Sequence, residues 1–161
     1  MAPRNEIRLQ QGLLQADHRA QIRAAARDPR ERAMVECLWT CRRAEVAALR
    51  WGDLNLTDGL ALIRRGKGGV ASWTLLLEST REALAAWYAD AGSPPATAYV
   101  FPVPGSGLPA RPYTPGGLGK LVQQLLTRAG CWSRGLGNCH RFRRSFATEY
   151  SRAHPGDLAG L

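Results

Sequence analysis

A chain of 161 residues with 45% hydrophobic content has enough apolar material to bury the core of one domain, which excludes a disordered polymer. Lys and Arg number 22 against 13 Asp and Glu, a formal charge of +9, so the expected partner is a polyanion, nucleic acid ahead of a membrane surface. No apolar run approaches membrane-spanning length and the opening Met1-Ala2-Pro3-Arg4 has no signal-peptide core, so the reading is an intracellular protein with no membrane partner.

Residues 1–13 carry weak patterning and read as a flexible lead, with one domain over residues 14–161. Asp17 is expected to cap a helix running to Arg27. Asp28-Pro29-Arg30-Glu31 is a strong helix start, with Asp at the N-cap, Pro at the first helical position and Glu two residues further on. The helix behind it should bury Met34, Val35, Leu38 and Cys41. Thr40-Cys41-Arg42-Arg43-Ala44-Glu45-Val46 then places two arginines where an apolar run should continue or stop. Helical spacing lets Glu45 pair with Arg42, which by itself is a common surface ion pair. A short apolar helix over Val46–Leu49 follows.

From Asp53 the pattern changes to strands. Leu54 and Leu56 lead into Thr57-Asp58-Gly59 and a return strand through Leu60, Leu62 and Ile63, a hairpin signal. Arg64-Arg65-Gly66-Lys67-Gly68-Gly69 is a second, basic turn before a strand over Val70–Leu77. Its glycines permit close approach of a ligand and Lys67 can reach a phosphate or a leaving oxygen, although Gly and Lys are also ordinary at a solvated hairpin tip. Ser79-Thr80-Arg81-Glu82 reads as a capping box opening a helix that Gly92 closes. Residues 93–114 form a Pro- and Gly-rich loop with a short strand near Tyr99-Val100-Phe101. Thr114-Pro115 starts a helix with Leu118, Leu121, Val122 and Leu125 inside and Gly130 at its end.

Asn138 is the expected N-cap of a last full helix, Cys139-His140-Arg141-Phe142-Arg143-Arg144-Ser145-Phe146-Ala147-Thr148. His140 and Arg143 share a helix face, as do Phe142 and Phe146. An imidazole beside a guanidinium suits a phosphate; a basic surface helix with core aromatics fits the same residues. Pro155 and Asp157 look like the start of another helix, and the chain ends at Leu161 inside that pattern, which reads as an incomplete C-terminus. His18 and His154 sit among polar neighbours and read as solvated. Of the four cysteines, Cys37 and Cys41 could share a metal with Cys131, Cys139 or His140, but zinc-knuckle spacings are absent and buried free thiols are the reading, with no metal site.

Together these pieces resemble the tyrosine recombinase, or phage integrase, family. Thr40 to Asp53 is similar to its first-arginine box, TGLRxxEL…LxWxDI, so Arg42 takes the place of a catalytic Arg and Glu45 that of its supporting acid. Ile63 to Gly69 resembles the hairpin whose turn holds a catalytic Lys, here Lys67. His140 to Thr148 resembles the HxLRHTFAT box, with Phe142 for the usual Leu, so His140 and Arg143 take catalytic places. Thr40, Cys41 and Cys139 stand where Gly, Leu and Pro are usual.

The resemblance implies a mainly helical α+β catalytic domain with a small antiparallel sheet. It implies site-specific DNA breakage and rejoining through a 3′-phosphotyrosyl intermediate, with no cofactor. The partner it implies is double-stranded DNA in a cytoplasmic, nucleoid-associated setting of bacterial or phage type, with homo-oligomers on DNA at full length. Arg43, Arg64, Arg65, Arg141 and Arg144 are expected to contact DNA. The family's LGH box and nucleophilic Tyr should fall beyond Leu161, so none of Tyr88, Tyr99, Tyr113 and Tyr150 is assigned as nucleophile. Two alternatives share the motifs: a DNA-binding remnant without cleavage, and a type IB topoisomerase.

Overall fold

The computed structural model describes residues 12–132, 134 and 139–157. The chain enters through Gly12, Leu13 and Leu14, all buried. Helix α1 spans Ala16–Ala25. Asp17 lies in its first turn and is not its cap; Gln15 holds that place, with its amide donating to His18 Nδ1 at 3.0 Å. Helix α2, Pro29–Cys37, starts as the sequence predicts: the Asp28 carboxylate accepts from the Glu31 amide at 2.7 Å. Met34, Val35, Leu38 and Cys41 are buried.

Helix α3, Arg43–Ala48, leads through a short turn at Trp51–Asp53 into a three-stranded antiparallel sheet. Its strands are β1 (Leu54–Asn55), β2 (Leu60–Ile63) and β3 (Ser72–Leu75), with Leu60 opposite Leu75 and Ile63 opposite Ser72. Ala61 and Ile63 face the core while Trp73 and Leu75 face solvent, so β3 is shorter and barer than its apolar run suggests.

Helix α4 spans Glu78–Asp90 and packs on α2. The expected capping box at Ser79 does not form. The Ser79 hydroxyl donates to the buried Glu36 carboxylate at 2.9 Å and the Thr80 hydroxyl to the Glu36 carbonyl at 3.0 Å, so a tertiary demand takes the capping side chains. Gly92, at φ +78°, ends the helix as predicted, with the Ser93 amide donating to the Tyr88 carbonyl.

No strand forms at residues 99–101. A single bridge joins Arg50 to Tyr99, the Val100 amide donates to the Leu49 carbonyl at 2.9 Å, and the Trp87 indole donates to the Val100 carbonyl at 2.7 Å. These bonds sink Val100 and Phe101 completely. Helix α5, Pro115–Arg128, is capped by the Thr114 hydroxyl, which accepts from the Gly117 amide at 3.0 Å. It buries Leu118, Val122, Leu125 and Leu126, leaves Leu121 half-buried, and packs on α1 and α3. Helix α6, Cys139–Ala153, is the last. Its expected cap, Asn138, and the end of the apolar pattern at Leu161 lie outside the described residues. Pro155 lies in a turn after α6, and the Asp157 carboxylate accepts from the Tyr150 hydroxyl at 2.9 Å. All four cysteines are buried free thiols, as read from sequence.

Candidate active site

The site is built on the stretch between α2 and α3. The chain leaves α2 through Trp39, and the Cys41 amide bonds back to the Cys37 carbonyl at 2.9 Å, which turns Arg42 outward at the N-cap of α3. The Glu45 carboxylate bonds Arg42 twice: one oxygen accepts from its backbone amide at 2.6 Å, the other from its Nη1 at 3.1 Å. Glu45 is thus both helix cap and rotamer clamp, with a side chain only 10% exposed against 44% for Arg42. Among the described residues the Arg42 guanidinium is paired with Glu45 and is partly open to solvent.

Helix α6 docks its first turn on this stretch. Phe142 is fully buried and meets the Trp39 ring edge-on, centroids 4.9 Å apart. Burial pushes the Cys41 thiol up to about 11, and the charge of Arg143 acts against that shift; burial likewise pushes Cys139 up to about 11, opposed by Arg43. Together with the Trp39–Phe142 contact, these pairs place the start of α6 against residues 39–43. His140 is exposed on the same first turn, one turn before the half-buried Arg143.

Lys67 is exposed in the turn between β2 and β3. Gly68 and Gly69 there have φ of +74° and +75°, and a Cβ on Gly66 would meet the Val70 carbonyl oxygen at 3.0 Å, so the turn needs its glycines. Among the described residues no hydrogen bond or ion pair joins Lys67 to Arg42, His140 or Arg143. The Trp39–Phe142 contact brings the start of α6, which carries His140 and Arg143, against the stretch that carries Arg42 and Glu45, while Lys67 lies in the turn between β2 and β3.

The arginines expected on DNA divide. Arg65 is exposed and Arg43 half-buried. Arg64 is exposed but anchored, its Nε 2.7 Å from the buried Asp53 carboxylate. Arg144 is half-buried and its Nε has no partner among the described residues. Arg141 departs from the expectation: it is 3% exposed, and its fork donates to the Gly12 carbonyl at 2.9 Å and the Cys131 carbonyl at 2.5 Å. A guanidinium spent on buried carbonyls cannot meet a phosphate outside, so Arg141 is a structural residue.

Two supporting groups escaped the sequence reading. Glu36 is 1% exposed, paired with Arg23 at 2.5 Å and Arg19 at 3.7 Å, and Arg19 in turn lies over the Trp39 ring at 4.7 Å. A lone carboxylate inside the apolar run Ala33–Leu38 was the available signal, since such a group must find partners. Ser145 is the other, buried one turn after Arg141. Of the four tyrosines, Tyr99 and Tyr113 accept from Arg50 and Arg30, Tyr150 donates to Asp157, and Tyr88 packs edge-on to Trp51. Among the described residues no group of His, Cys, Asp and Glu could hold a metal ion, and no helix is long and apolar enough to cross a membrane.

Comparison with known proteins bears on the family and the fold. Residues 11–157 match the model of the phage integrase family. The chain is 32% identical over 134 residues to tyrosine recombinase XerC of Xanthomonas campestris pv. campestris (strain B100), covering 82% of this chain and 39% of that protein. XerC of Xanthomonas axonopodis pv. citri (strain 306) is 31% identical, with 82% and 41% covered. The chain thus spans about two-fifths of the length of these curated relatives. Among solved structures, XerA recombinase superposes with a TM-score of 0.75 at 22% identity, covering 92% of this chain and 52% of that one. A lambda integrase (75–356) dimer bound to a COC' core site gives 0.61 at 20% identity, covering 88% and 51%. These two likenesses establish the fold, that of a tyrosine recombinase catalytic domain. The family match, the XerC identity and the shared fold agree: the chain belongs to the phage integrase family of tyrosine recombinases.

Proposed function

We propose that residues 14–161 are part of the catalytic domain of a site-specific DNA recombinase, with Arg42, Lys67, His140 and Arg143 forming its phosphate site. The observation that carries this reading is the Arg42–Glu45 clamp on a stretch that packs, through Trp39 and Phe142, against the first turn of α6. Two guanidinium forks held from different helices suit the non-bridging oxygens of a phosphodiester, where charge accumulates during displacement.

In the proposed reaction a tyrosyl oxygen attacks phosphorus, forming a Tyr–phosphate bond as the bond to the 5′-oxygen breaks. His140 takes part in proton transfer at the tyrosyl oxygen or donates to the phosphate, and Lys67 gives the leaving 5′-oxygen its proton. Lys67 would reach the scissile phosphate when duplex DNA lies across both the hairpin tip and the first turn of α6. The tyrosine would come from a segment outside these 161 residues, since the four tyrosines here are engaged elsewhere. Duplex DNA is the proposed partner, with homo-oligomers on DNA for the whole protein and a cytoplasmic, nucleoid-associated location.

The test is fluorescence anisotropy with a labelled duplex at several salt concentrations. Arg42→Ala and Arg143→Ala should each weaken binding and flatten the salt dependence, each lost phosphate contact lowering the slope by about 0.9. Unchanged affinity in both variants would rule the site out. The placement of the tyrosines also favours a second reading, a DNA-binding module without cleavage. A nicked suicide duplex separates the two: covalent capture by the chain extended downstream supports the recombinase, and binding without capture supports the module.

A further inference from the structure

Arg141 lies between the two residues read as phosphate ligands, yet it points inward. It is a buried cation whose hydrogen bonds, among the described residues, go to carbonyls and to no carboxylate. Such a group carries a desolvation cost that an apolar side chain of similar size would avoid, so its presence needs a specific reason. The reason lies in what it ties together. Its Nε holds the Gly12 carbonyl and its Nη1 the Cys131 carbonyl, the first 129 residues away in sequence. One turn further along α6, the Ser145 hydroxyl accepts from the Leu14 amide at 2.7 Å and donates to the Arg141 carbonyl at 2.5 Å. Arg141 and Ser145 stand four apart, on one face of the helix. Two successive points of α6 are therefore bonded to the same short entering segment, Gly12–Leu14.

This fastening differs in kind from the Trp39–Phe142 contact. A ring contact fixes how deep the helix sits and tolerates sliding. Hydrogen bonds at two points on one face fix its rotation. A guanidinium carried about 6 Å from a helix axis moves roughly 2 Å when the helix turns by ~20°, and misplacements of about 1 Å matter at a reacting centre.

We infer that Arg141 and Ser145 are positioning residues: by fastening α6 to Gly12–Leu14 they set the rotation that presents His140 and Arg143 to a phosphate. The inference rests on the reading of Arg143 as a phosphate ligand.

The test is a double-mutant cycle on duplex affinity, with Arg141→Met, Arg143→Ala and the double variant. Arg141→Met is expected to weaken binding about three- to tenfold in the parent and clearly less once Arg143 is gone, the remainder acting through His140, because residues acting through one another are not additive. In the Arg141→Met protein, amide exchange should also quicken at Leu14. Additive effects, as a direct DNA contact by Arg141 would give, or unchanged affinity in Arg141→Met, would overturn the inference. Arg143→Ala without effect would remove the phosphate-site reading itself. Should Arg141→Met fail to fold, Ser145→Ala carries the same cycle, with Ser145→Thr expected to restore affinity because it returns the hydroxyl.

Discussion

The Trp39 indole meets the Phe142 ring edge-on, with centroids 4.9 Å apart and planes at 68°. One ring comes from the stretch that delivers Arg42, the other from the helix that delivers His140 and Arg143. The two halves of the candidate site are thus joined through one buried aromatic pair, and Phe142→Ala should cost about 3–5 kcal/mol of stability. Chemical denaturation measures that loss. Phe142→Leu should lose less, since much of the buried volume remains. Equal, small losses for both would show that the pair does not hold the halves together.

Glu45 combines two duties, accepting from the Arg42 amide and from its guanidinium. Glu45→Ala should lower stability by about 1 kcal/mol through the lost cap. The larger effect is expected on duplex affinity, because Arg42 loses the partner that holds its rotamer. Anisotropy titrations beside Arg42→Ala are the check: the two variants should weaken binding to a similar degree. Full affinity in Glu45→Ala would mean that Arg42 needs no clamp.

Glu36 is a buried carboxylate under α4, held by Arg23, Arg19 and the Ser79 hydroxyl. Glu36→Ala leaves the two guanidinium groups and the hydroxyl without their acceptor and should cost about 1–3 kcal/mol, because Arg19 and Arg23 are partly exposed and water can take up part of their pairing. Arg23→Ala should cost more, about 3–5 kcal/mol, because it leaves the buried Glu36 carboxylate with Arg19, at 3.7 Å, as its charged partner. Urea midpoints of the two variants decide the order; the reverse order would contradict a buried-charge origin.

The thiols predict a stability change at alkaline pH. Burial raises Cys41 and Cys139 to about 11, against an ordinary value of 9.0. The folded state therefore holds these protons more tightly than the unfolded chain. The associated stability is fully present below pH 9 and is lost as pH rises toward 11, by on the order of 2 kcal/mol for each thiol. Denaturant midpoints from pH 7 to pH 11 should fall over that window, and iodoacetamide at pH 8 should label the native protein much more slowly than the unfolded one. Rapid native labelling at both cysteines would overturn their burial.

Most helix starts and the hairpin turn were legible because their signals are local. Asp28 and Thr114 cap the helices they precede, and Asp58-Gly59 lies between the antiparallel strands β1 and β2. Ser79 shows the limit of this: its capping pattern is present in sequence, yet its hydroxyl serves Glu36, 43 residues away. The strand expected near Tyr99 fails for a similar reason, since its amide and carbonyl groups bond singly to Leu49 and Trp87 and build no ladder.

For the candidate site, the sequence by itself determined which groups are at hand: an arginine with its acid, a lysine in a glycine turn, a His and Arg one turn apart, and a strongly basic chain. Those features depend on residue type and short spacing, which a helix or a tight turn converts directly into a shared face. Only the tertiary structure decided what each arginine of 141, 143 and 144 does. All three lie within one turn of α6, but Arg141 is drawn inward by carbonyls at Gly12 and Cys131 while Arg143 and Arg144 stay half-buried. Burial and pairing are set by segments far apart in sequence, and their free energy is realised only when the chain has brought those segments together.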